Sequence, residues 1–432
     1  MLKEKLRKKI DEHRPRTQKL LKEHGNKVID EVTIAKAIGG MRGLKCLVTD
    51  ISYLDPEEGI RYRGYPLPEV FDLLPKPPGK DMPYVEGLFY LLLTGDIPGD
   101  QEVHELVDEF KKRRELPSYV YEVIDAFPRG SHPMPIFSSA ILTLGQESEF
   151  NKQYHAGIPK QDYWESNFED AMNMLAKLPE IGAYIYANLY QGGKHIPQNP
   201  ELDFGGNFAH MMGVEGPYDD VSRMHFIIHA DHESGNVSAH TGHLVGSSLS
   251  DVYLSTSAML NGLAGPLHGL ANQEVLRWLQ GVWKQMDGRI PNEDEMKQFV
   301  WDTLKSGQVI PGFGHAVLRK TDPRYMVQRE FALKHLKHDE LFQYVDMLYK
   351  VVPPILKEHG KAKNPWPNVD SHSGVIQWHY GITKYDFYTV LFGIGRAIGV
   401  AANIIWDRAL MYPLERPKSL TTAMLENLVS KG

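Results

Sequence analysis

The chain has 432 residues, enough for two or three domains around a large apolar core. Its 48 lysines and arginines stand against 55 aspartates and glutamates, a mildly acidic balance that argues against nucleic acid as the main partner. No apolar run reaches the length we expect of a membrane span, and the single cysteine excludes an internal disulfide framework. The composition therefore predicts a globular protein that binds neither nucleic acid nor a membrane.

The N-terminal segment 1–26 is highly charged and predicts a surface helix, with Leu2, Leu6 and Ile10 at four-residue spacing. Acidic residues are scattered among its basic ones, which transit peptides avoid, and the apolar stretch of a signal peptide is missing. We therefore expect a cytoplasmic protein, with a processed organellar protein as the alternative.

Helical periodicity recurs along the chain, whereas strict two-residue alternation is scarce. Residues 292–307 begin with Asn292 and Glu295 at the spacing of a capping box. A further helix runs through residues 341–348 and meets Pro353-Pro354. These patterns predict an all-α fold of roughly twenty helices, if the mean helix has about 12 residues.

The segment 385–410 is apolar on nearly all sides, as in a helix at the core of a large protein, yet it contains Arg396. A buried arginine is costly unless an anion pairs with it. The partner is either a structural Asp or Glu or the carboxylate of a ligand, and this helix alone leaves both open.

Three glycine-rich or histidine-rich segments carry the candidate chemistry. The string 229–240 holds three histidines, and it contributes to two His-x-x-His pairs, at 229/232 and 240/243. Such pairs can bind one metal at helical spacing, so a zinc or iron hydrolase is an alternative function. The plainer interpretation, satisfied core histidines, holds for most of these four, and metal analysis separates the two interpretations.

His268 and His315 each follow glycines, where a backbone and a ligand approach closely. His268 precedes a predicted helix, and the positive end of a helix dipole disfavours a charged imidazole. A neutral imidazole can still donate a hydrogen bond to an enolate oxygen. The plainer interpretation is a histidine that happens to lie near a helix start.

Three further groups complete an acid–base constellation. Asp322-Pro323 starts a helix that carries Arg324, a second candidate for carboxylate binding. Arg319 either meets phosphates or belongs to a solvated basic turn. Asp370 is either a helix N-cap or a general base. A base, two neutral histidines and several arginines suit proton removal beside a carbonyl and capture of an anionic electrophile.

Hinge candidates at 262–269 and 360–374 divide the chain. They predict a large helical domain of residues 1–268, a smaller inserted helical domain of residues 269–374, and a return segment of residues 375–432.

Several long strings together resemble citrate synthases of the kind found in mitochondria and some bacteria. The resemblance runs from about residue 30 to the C-terminus, through the strings GGMRG (39–43), LDPEEGIRYRGY (54–65), HADHESGNVSAH (229–240), GLAGPLHGLANQEVL (262–276), PGFGHAVLRKTDPRY (311–325), AKNPWPNVD (362–370) and PLERPK (413–418).

The resemblance implies an all-α homodimer, each subunit having a small domain that closes over the substrates. It implies an acyltransferase of the tricarboxylic acid cycle, which condenses acetyl-CoA with oxaloacetate to citryl-CoA and hydrolyses the thioester. Acetyl-CoA is then a substrate, and neither a cofactor nor a metal is implied. The close relative 2-methylcitrate synthase uses propionyl-CoA, and the sequence does not separate the two. A non-catalytic binding protein on the same scaffold is disfavoured because every reactive position is filled.

The resemblance also implies residue roles. Asp370 takes a proton from the acetyl methyl group, His268 hydrogen-bonds the enolate oxygen, and His315 polarises the oxaloacetate carbonyl. The oxaloacetate carboxylates are held by His232, Arg324, Arg396 and, from the other subunit, Arg416. CoA lies near Val309, Ile310 and Gly312, with Arg42, Arg319 and Lys363 toward its phosphates. Lys160 stands where animal enzymes have an arginine near CoA, which puts that one contact in doubt.

Overall fold

The computed structural model describes residues 1–430 as an almost wholly helical protein, as the sequence predicts. Within these residues twenty α-helices follow one another: α1 Leu2–His24, α2 Ile34–Ile38, α3 Leu67–Leu73, α4 Val85–Thr94, α5 Asp100–Arg113, α6 Ser118–Asp125, α7 Pro133–Leu144, α8 Glu149–His155, α9 Tyr163–Tyr190, α10 Phe204–Met211, α11 Tyr218–His229, α12 Val237–Ser247, α13 Val252–Leu263, α14 Ala271–Gln285, α15 Glu293–Lys305, α16 Pro323–His335, α17 Glu340–His359, α18 Asp370–His379, α19 Tyr388–Ala409 and α20 Thr422–Ser430.

A small antiparallel sheet follows the N-terminal helices, made of β1 Ser52–Asp55, β2 Gly59–Tyr62 and β3 Tyr65–Pro66. Ser52 pairs with Tyr62 in its register. The strands are too short to show a two-residue pattern that sequence analysis can recognise. The hydroxyl of Tyr62 lies 2.9 Å from the carbonyl oxygen of Ile227, so the sheet is fastened to the end of α11.

The core is centred on α19, which packs against α9, α11, α12 and α13. The segment Tyr385–Ala409 is long and apolar enough to cross a membrane by length and composition, with a mean hydropathy of 1.5. The expectation that no apolar run reaches this length was therefore wrong. The apolar window of this segment is wholly buried inside the protein, so it is the predicted core helix.

Local sequence signals mark the start of α15 but not the end of α17. The capping box of α15 is present in both directions, with the Glu295 amide 2.9 Å from Asn292 Oδ1 and the Asn292 amide 2.9 Å from Glu295 Oε2. Helix α17 continues through Pro353-Pro354 to His359. Buried neighbours such as Ile355 pack this helix into the core, which offsets the hydrogen bonds that proline cannot donate.

The predicted N-terminal surface helix is α1, which buries only Leu6 and Ile10. Its basic face forms ion pairs with acidic side chains of α5 and α9. Lys3 lies 3.0 Å from Glu169, and Lys5 lies 3.2 Å from Glu102. Partly exposed pairs of this kind each contribute little free energy, so the two buried apolar side chains hold the helix in place.

The division into a large and a small domain stays a prediction. Helices α14 to α18 pack mainly on one another, within the stretch assigned to the small domain. The boundary between residues 374 and 375 falls inside α18, which contacts α14, α16 and α17 along its length. A return segment that begins after His379 would keep this helix whole. The last two residues of the predicted segment 375–432 lie outside the described residues.

Candidate active site

Four loops converge beside the N-terminal ends of α12, α14, α16 and α18. Helix N-termini favour anions because their first amide groups point outward and the dipole is positive there. The loops bring together residues from distant parts of the sequence. The rings of His232 and His315 lie 5.5 Å apart between centroids, although 83 residues separate them.

His315 has a defined tautomer. Its Nδ1 accepts hydrogen bonds from the amides of Val317 and Leu318, both at 3.0 Å. Nδ1 therefore carries no proton, and the proton of the neutral ring is on Nε2. Burial and the charge of Arg324 lower the pKa of His315 to about 4, so the ring is neutral at pH 7. Its Nε2–H group is a hydrogen-bond donor without a charge.

His268 lies in the turn before α14 and contacts the start of α12. Its Nε2 accepts a hydrogen bond from the Ser238 amide at 3.3 Å and lies 2.9 Å from the Ser238 hydroxyl. The proton of the neutral ring is thus on Nδ1, where it can be donated elsewhere. Burial and the nearby charge of Arg396 lower the pKa of His268 to about 4.

Arg396 is buried in the middle of α19, where its relative exposure is 1%. Its partners are all neutral: the His229 carbonyl at 3.0 Å, Asn236 Oδ1 at 2.9 Å and Ser238 Oγ at 3.0 Å. Its guanidinium carbon also lies 4.9 Å from the centre of the Phe392 ring. Among residues 1–430 no carboxylate forms an ion pair with it, so the structural ion pair left open by the sequence is absent there. Burial lowers its pKa to about 10.

Arg324 differs from Arg396 because it already has an anionic partner. Its Nη2 atom lies 2.7 Å from Oδ2 of Asp322, and its Nε lies 3.1 Å from Oδ1. Asp322 is the N-cap of α16, and its Oδ1 also accepts a hydrogen bond from the Arg324 amide. The predicted helix start at Asp322-Pro323 is confirmed. The Nη1 atom of Arg324 has no hydrogen-bond partner within the described chain and remains available to a ligand.

Asp370 is the first residue of α18, and Val369 is the N-cap residue, so Asp370 is not a helix N-cap. Its amide donates to Asn368 Oδ1 at 3.0 Å, whereas its carboxylate accepts no hydrogen bond from residues 1–430. Burial raises the pKa of Asp370 to about 6, and Arg324 opposes this effect. A carboxylate with a pKa near the working pH and no partner is suited to accept a proton.

The segments that carry His315 and Asp370 are fastened to each other. Phe313 and Pro367 form an isolated antiparallel bridge, and the Asn368 amide donates to the Gly312 carbonyl at 2.9 Å. Gly312 has a φ of +82°, and a Cβ there would lie 2.3 Å from Ser371 Oγ. Only glycine fits this position, because any side chain would push apart the segments of the acid–base pair.

The residues expected near CoA lie at the surface around this bridge or farther away. Val309 is 76% exposed, whereas Ile310 is buried. The side chains of Arg319 and Lys363 are exposed on the two bridged segments. Arg42 is exposed in the turn after α2 and has no hydrogen-bond or ion-pair contact with the other CoA candidates in residues 1–430, and Lys160 is exposed in a short 3₁₀ turn, Lys160–Asp162.

The four histidines of the two His-x-x-His pairs differ in their hydrogen bonds: His232 has no partner for its ring within the described chain, whereas each of the other three has a separate one. The Nε2 atom of His232 is buried and has no partner in residues 1–430. His229 Nδ1 donates to the His225 carbonyl, His240 pairs with Glu415, and His243 Nδ1 lies 2.7 Å from Asp407 Oδ2. No group of three or more potential ligands that could hold a metal is present in the described chain.

Two neutral residues of the site were missed from the sequence, Asn236 and Ser238. Both lie in the string 229–240, in which the histidines are the more conspicuous candidates. Phe392 was also missed, although it precedes Arg396 by four residues and so shares its helix face. Polar residues at the start of a helix beside a histidine-rich loop were a signal that could have found the first two.

The fold and these contacts define an all-α enzyme whose site combines an unpartnered carboxylate, neutral imidazole donors and a buried cation that lacks an anion. Residues 40–418 match the family model of the C-terminal domain of citrate synthase. The chain is 53% identical over 430 residues to the mitochondrial citrate synthase of Xiphias gladius, covering 99% of this chain and 92% of that protein. It is 52% identical over 434 residues to that of Daucus carota, covering 100% and 91%. The chain therefore belongs to the citrate synthase family.

Solved structures agree with this assignment. Citrate synthase from Pyrobaculum aerophilum superimposes with a TM-score of 0.77 at 28% identity, covering 89% of this chain and 92% of that one. A ternary complex of the Thermoplasma acidophilum enzyme with carboxymethyl coenzyme A and oxaloacetate has a TM-score of 0.74 at 21% identity, covering 91% and 97%, and shows the shared fold. The mitochondrial names of the sequence relatives do not support the cytoplasmic prediction and favour its organellar alternative.

Proposed function

We propose that this enzyme condenses acetyl-CoA with oxaloacetate and hydrolyses the resulting citryl-CoA to citrate and CoA, the first step of the tricarboxylic acid cycle. Family membership supports the reaction. The single observation that supports the proposed site most strongly is Arg396, a buried cation with only neutral partners beside two neutral imidazoles. A dianionic substrate supplies the missing negative charge, because a buried unpaired cation is otherwise costly.

The first chemical step is removal of a proton from the methyl group of acetyl-CoA by Asp370. The negative charge moves to the thioester oxygen, and His268 stabilises it by donating the proton on Nδ1 as a hydrogen bond. A neutral imidazole suits this task because its pKa, lowered to about 4, leaves the ring uncharged while it still carries a proton. Ser238 holds the opposite ring nitrogen and so fixes the ring.

The second step forms the carbon–carbon bond. The enolate carbon attacks the ketone carbon of oxaloacetate, and the ketone oxygen, which becomes an alkoxide, receives a hydrogen bond and then the proton of Nε2 of His315. The proton that Asp370 removed from the methyl group returns to Nε2, so the carboxylate and the neutral imidazole are both regenerated. The two backbone amides on Nδ1 keep that proton on Nε2 before the reaction. Water then attacks the thioester of citryl-CoA, and CoA leaves as the thiol.

Oxaloacetate would be held by Arg396, by the free Nη1 of Arg324 and by the unpartnered Nε2 of His232. CoA would lie along the bridged segments near Val309, Ile310 and Gly312. Arg319, Lys363 and Arg42 are proposed for its phosphates, since their side chains are exposed and cationic. No step of this scheme calls for a metal or a cofactor.

We further propose a homodimer in which Arg416 completes the site of the partner subunit. Arg416 is exposed, and its own segment lies along α12. Refolding Asp370→Asn together with Arg416→Ala tests this arrangement, because one site of each mixed dimer then has both wild-type groups. About a quarter of wild-type activity should return if half of the dimers are mixed. No recovery in confirmed mixed dimers would show that Arg416 acts within its own chain.

The mitochondrial matrix is the proposed compartment, on the strength of the names of the relatives. Fractionation of source cells with a matrix marker tests it.

Release of the CoA thiol in the presence of oxaloacetate tests the reaction itself. Acetyl-CoA should give citrate and free thiol in equal amounts, at a higher kcat/KM than propionyl-CoA. A preference for propionyl-CoA would instead identify a 2-methylcitrate synthase. The comparison is needed because one methylene changes the specificity of a pocket only modestly. Thiol release that does not depend on oxaloacetate would contradict the proposed condensation.

A further inference from the structure

The C-terminal segment is fastened to α12 at the residue beside Arg416. The carboxylate of Glu415 lies 3.1 Å from His240 Nε2, and the Glu415 amide donates to Ser247 Oγ at 3.0 Å. His240 and Ser247 are seven residues apart, two helical turns, so they share one face of α12. Two contacts on one helix face fix both the side chain and the backbone of Glu415.

The N-terminal end of the same helix, one turn before His240, belongs to the acid–base site. Asn236, the N-cap of α12, contacts Arg396, and Ser238 in its first turn contacts His268. Eleven residues separate Asn236 from Ser247, so the second contact lies about 16 Å along the helix from the site of its own chain. The backbone of Glu415 is thus held at the far end of α12, whereas its carboxylate reaches back to His240, four residues from Asn236.

Arg416, unlike Glu415, makes no polar contact with the described part of its own chain. Its side chain is exposed and has no hydrogen-bond or ion-pair partner in residues 1–430. Leu414 and Leu420, on either side of it, are 58% and 57% exposed. The segment around Arg416 thus presents a cation without an intrachain partner among the described residues at the surface, where a second chain can contact it.

We propose that Glu415, His240 and Ser247 form a seat that positions Arg416 for the site of the partner subunit. This inference rests on the proposed delivery of Arg416 between subunits. The three are positioning residues, since none touches substrate. Without the seat, binding of oxaloacetate must also order the segment, and fixing backbone residues costs free energy. Weaker oxaloacetate binding at unchanged turnover is the expected signature.

The seat is distinguishable from an ordinary surface ion pair. His240 and Glu415 have side-chain exposures of 28% and 32%, at which a pair adds little to stability. A purely structural role would therefore leave the KM for oxaloacetate unchanged. A role through α12 on its own site would raise the KM of the chain that carries the substitution, whereas the seat acts on the partner.

Mixed dimers of Asp370→Asn and Arg416→Ala chains provide the test. Their working site has its base from the Arg416→Ala chain and its arginine from the Asp370→Asn chain. His240→Ala placed in the Asp370→Asn chain should raise the KM for oxaloacetate roughly tenfold, with kcat nearly unchanged. The same substitution placed in the Arg416→Ala chain is the matched control and should change nothing, because that chain donates no arginine.

Ser247→Ala is an independent variant that can be used if His240→Ala does not fold. Ser247→Thr keeps the hydroxyl, so its KM for oxaloacetate should be that of wild type. An unchanged KM in both placements, or an equal rise in both, would overturn the seat. A rise only when the substitution is in the Arg416→Ala chain would also overturn it, since α12 would then act on its own site. Failure of the proposed shared site is a separate result, namely no activity in mixed dimers without any third substitution.

Discussion

The Nη1 atom of Arg396 lies 2.9 Å from Oδ1 of Asn236, a neutral partner for a buried cation. Arg324, by contrast, has the carboxylate of Asp322 at 2.7 Å. The two arginines proposed for the same substrate are thus in different electrostatic states before it binds. Arg396 is poised to gain most from an incoming carboxylate.

Replacement of Arg396 should therefore separate stability from ligand binding. Arg396→Leu should leave the unliganded protein as stable as wild type or more stable, because it removes an unpaired buried charge. Oxaloacetate at one hundred times its Kd should stabilise wild type by about 2.7 kcal/mol, and this gain should be largely lost in Arg396→Leu. Arg324→Leu is the contrast, since it strands the Asp322 carboxylate and should cost roughly 3–5 kcal/mol without ligand. Thermal unfolding with and without oxaloacetate measures both; a full ligand shift in Arg396→Leu would refute its assigned role.

The acid limb of the activity profile should report Asp370. Only the ionised carboxylate accepts a proton, so kcat/KM should rise with pH through about 6 and fall tenfold per unit below it. His268 and His315, with pKa values near 4, stay neutral over this range. Asp322→Asn should shift the limb toward lower pH, because the Asp322 charge raises the pKa of Asp370. A limb that lies well below pH 5 in the wild-type enzyme would contradict the assignment of Asp370.

The same raised pKa has a consequence for stability. The folded protein binds the Asp370 proton more tightly than the unfolded chain does, in which the pKa is near 3.8. The contribution of this group to stability is therefore complete below the unfolded value and is lost as the pH rises through about 6. The advantage in urea midpoint of Asp370→Asn over wild type should grow between pH 4 and pH 7. An advantage that shrinks over that interval would show that burying the ionised Asp370 carboxylate does not destabilise the folded protein.

Chelation should leave activity unchanged. The rings of His240 and His243 are held by Glu415 and Asp407, and His229 donates to a backbone carbonyl, so the His-x-x-His pairs are not presented to one metal. Dialysis against EDTA or phenanthroline, followed by metal analysis and a thiol-release assay, checks this. Stoichiometric zinc or iron that is lost together with activity would revive the hydrolase alternative.

The capping box of α15 allows a prediction about stability alone. Asn292→Ala removes the side-chain acceptor for the Glu295 amide and should cost about 1 kcal/mol. Asn292→Asp keeps an acceptor and should cost much less. The urea midpoint measures both, and the kcat/KM of both variants should remain that of wild type. Equal losses in the two variants would show that the cap is not what stabilises the helix start.

The sequence predicted what local signals determine. Asn292 with Glu295, and Asp322 with Pro323, specify helix starts within a few residues, and both starts are present. The contact of Ser238 with Arg396 depends on how α12 packs against α19, across 158 residues, which no local pattern encodes. The continuation of α17 through Pro353 likewise depends on tertiary packing that outweighs propensity.

Asp370→Asn shows whether Asp370 is the base of a carbon–carbon bond-forming site. Calorimetry should show oxaloacetate binding close to that of wild type, because the carboxylates of the substrate are held by other residues. Citrate formation from acetyl-CoA should fall by about 10²–10⁴-fold, the usual cost of losing a general base. Turnover within a few-fold of wild type, with oxaloacetate still bound, would show that Asp370 is not the base.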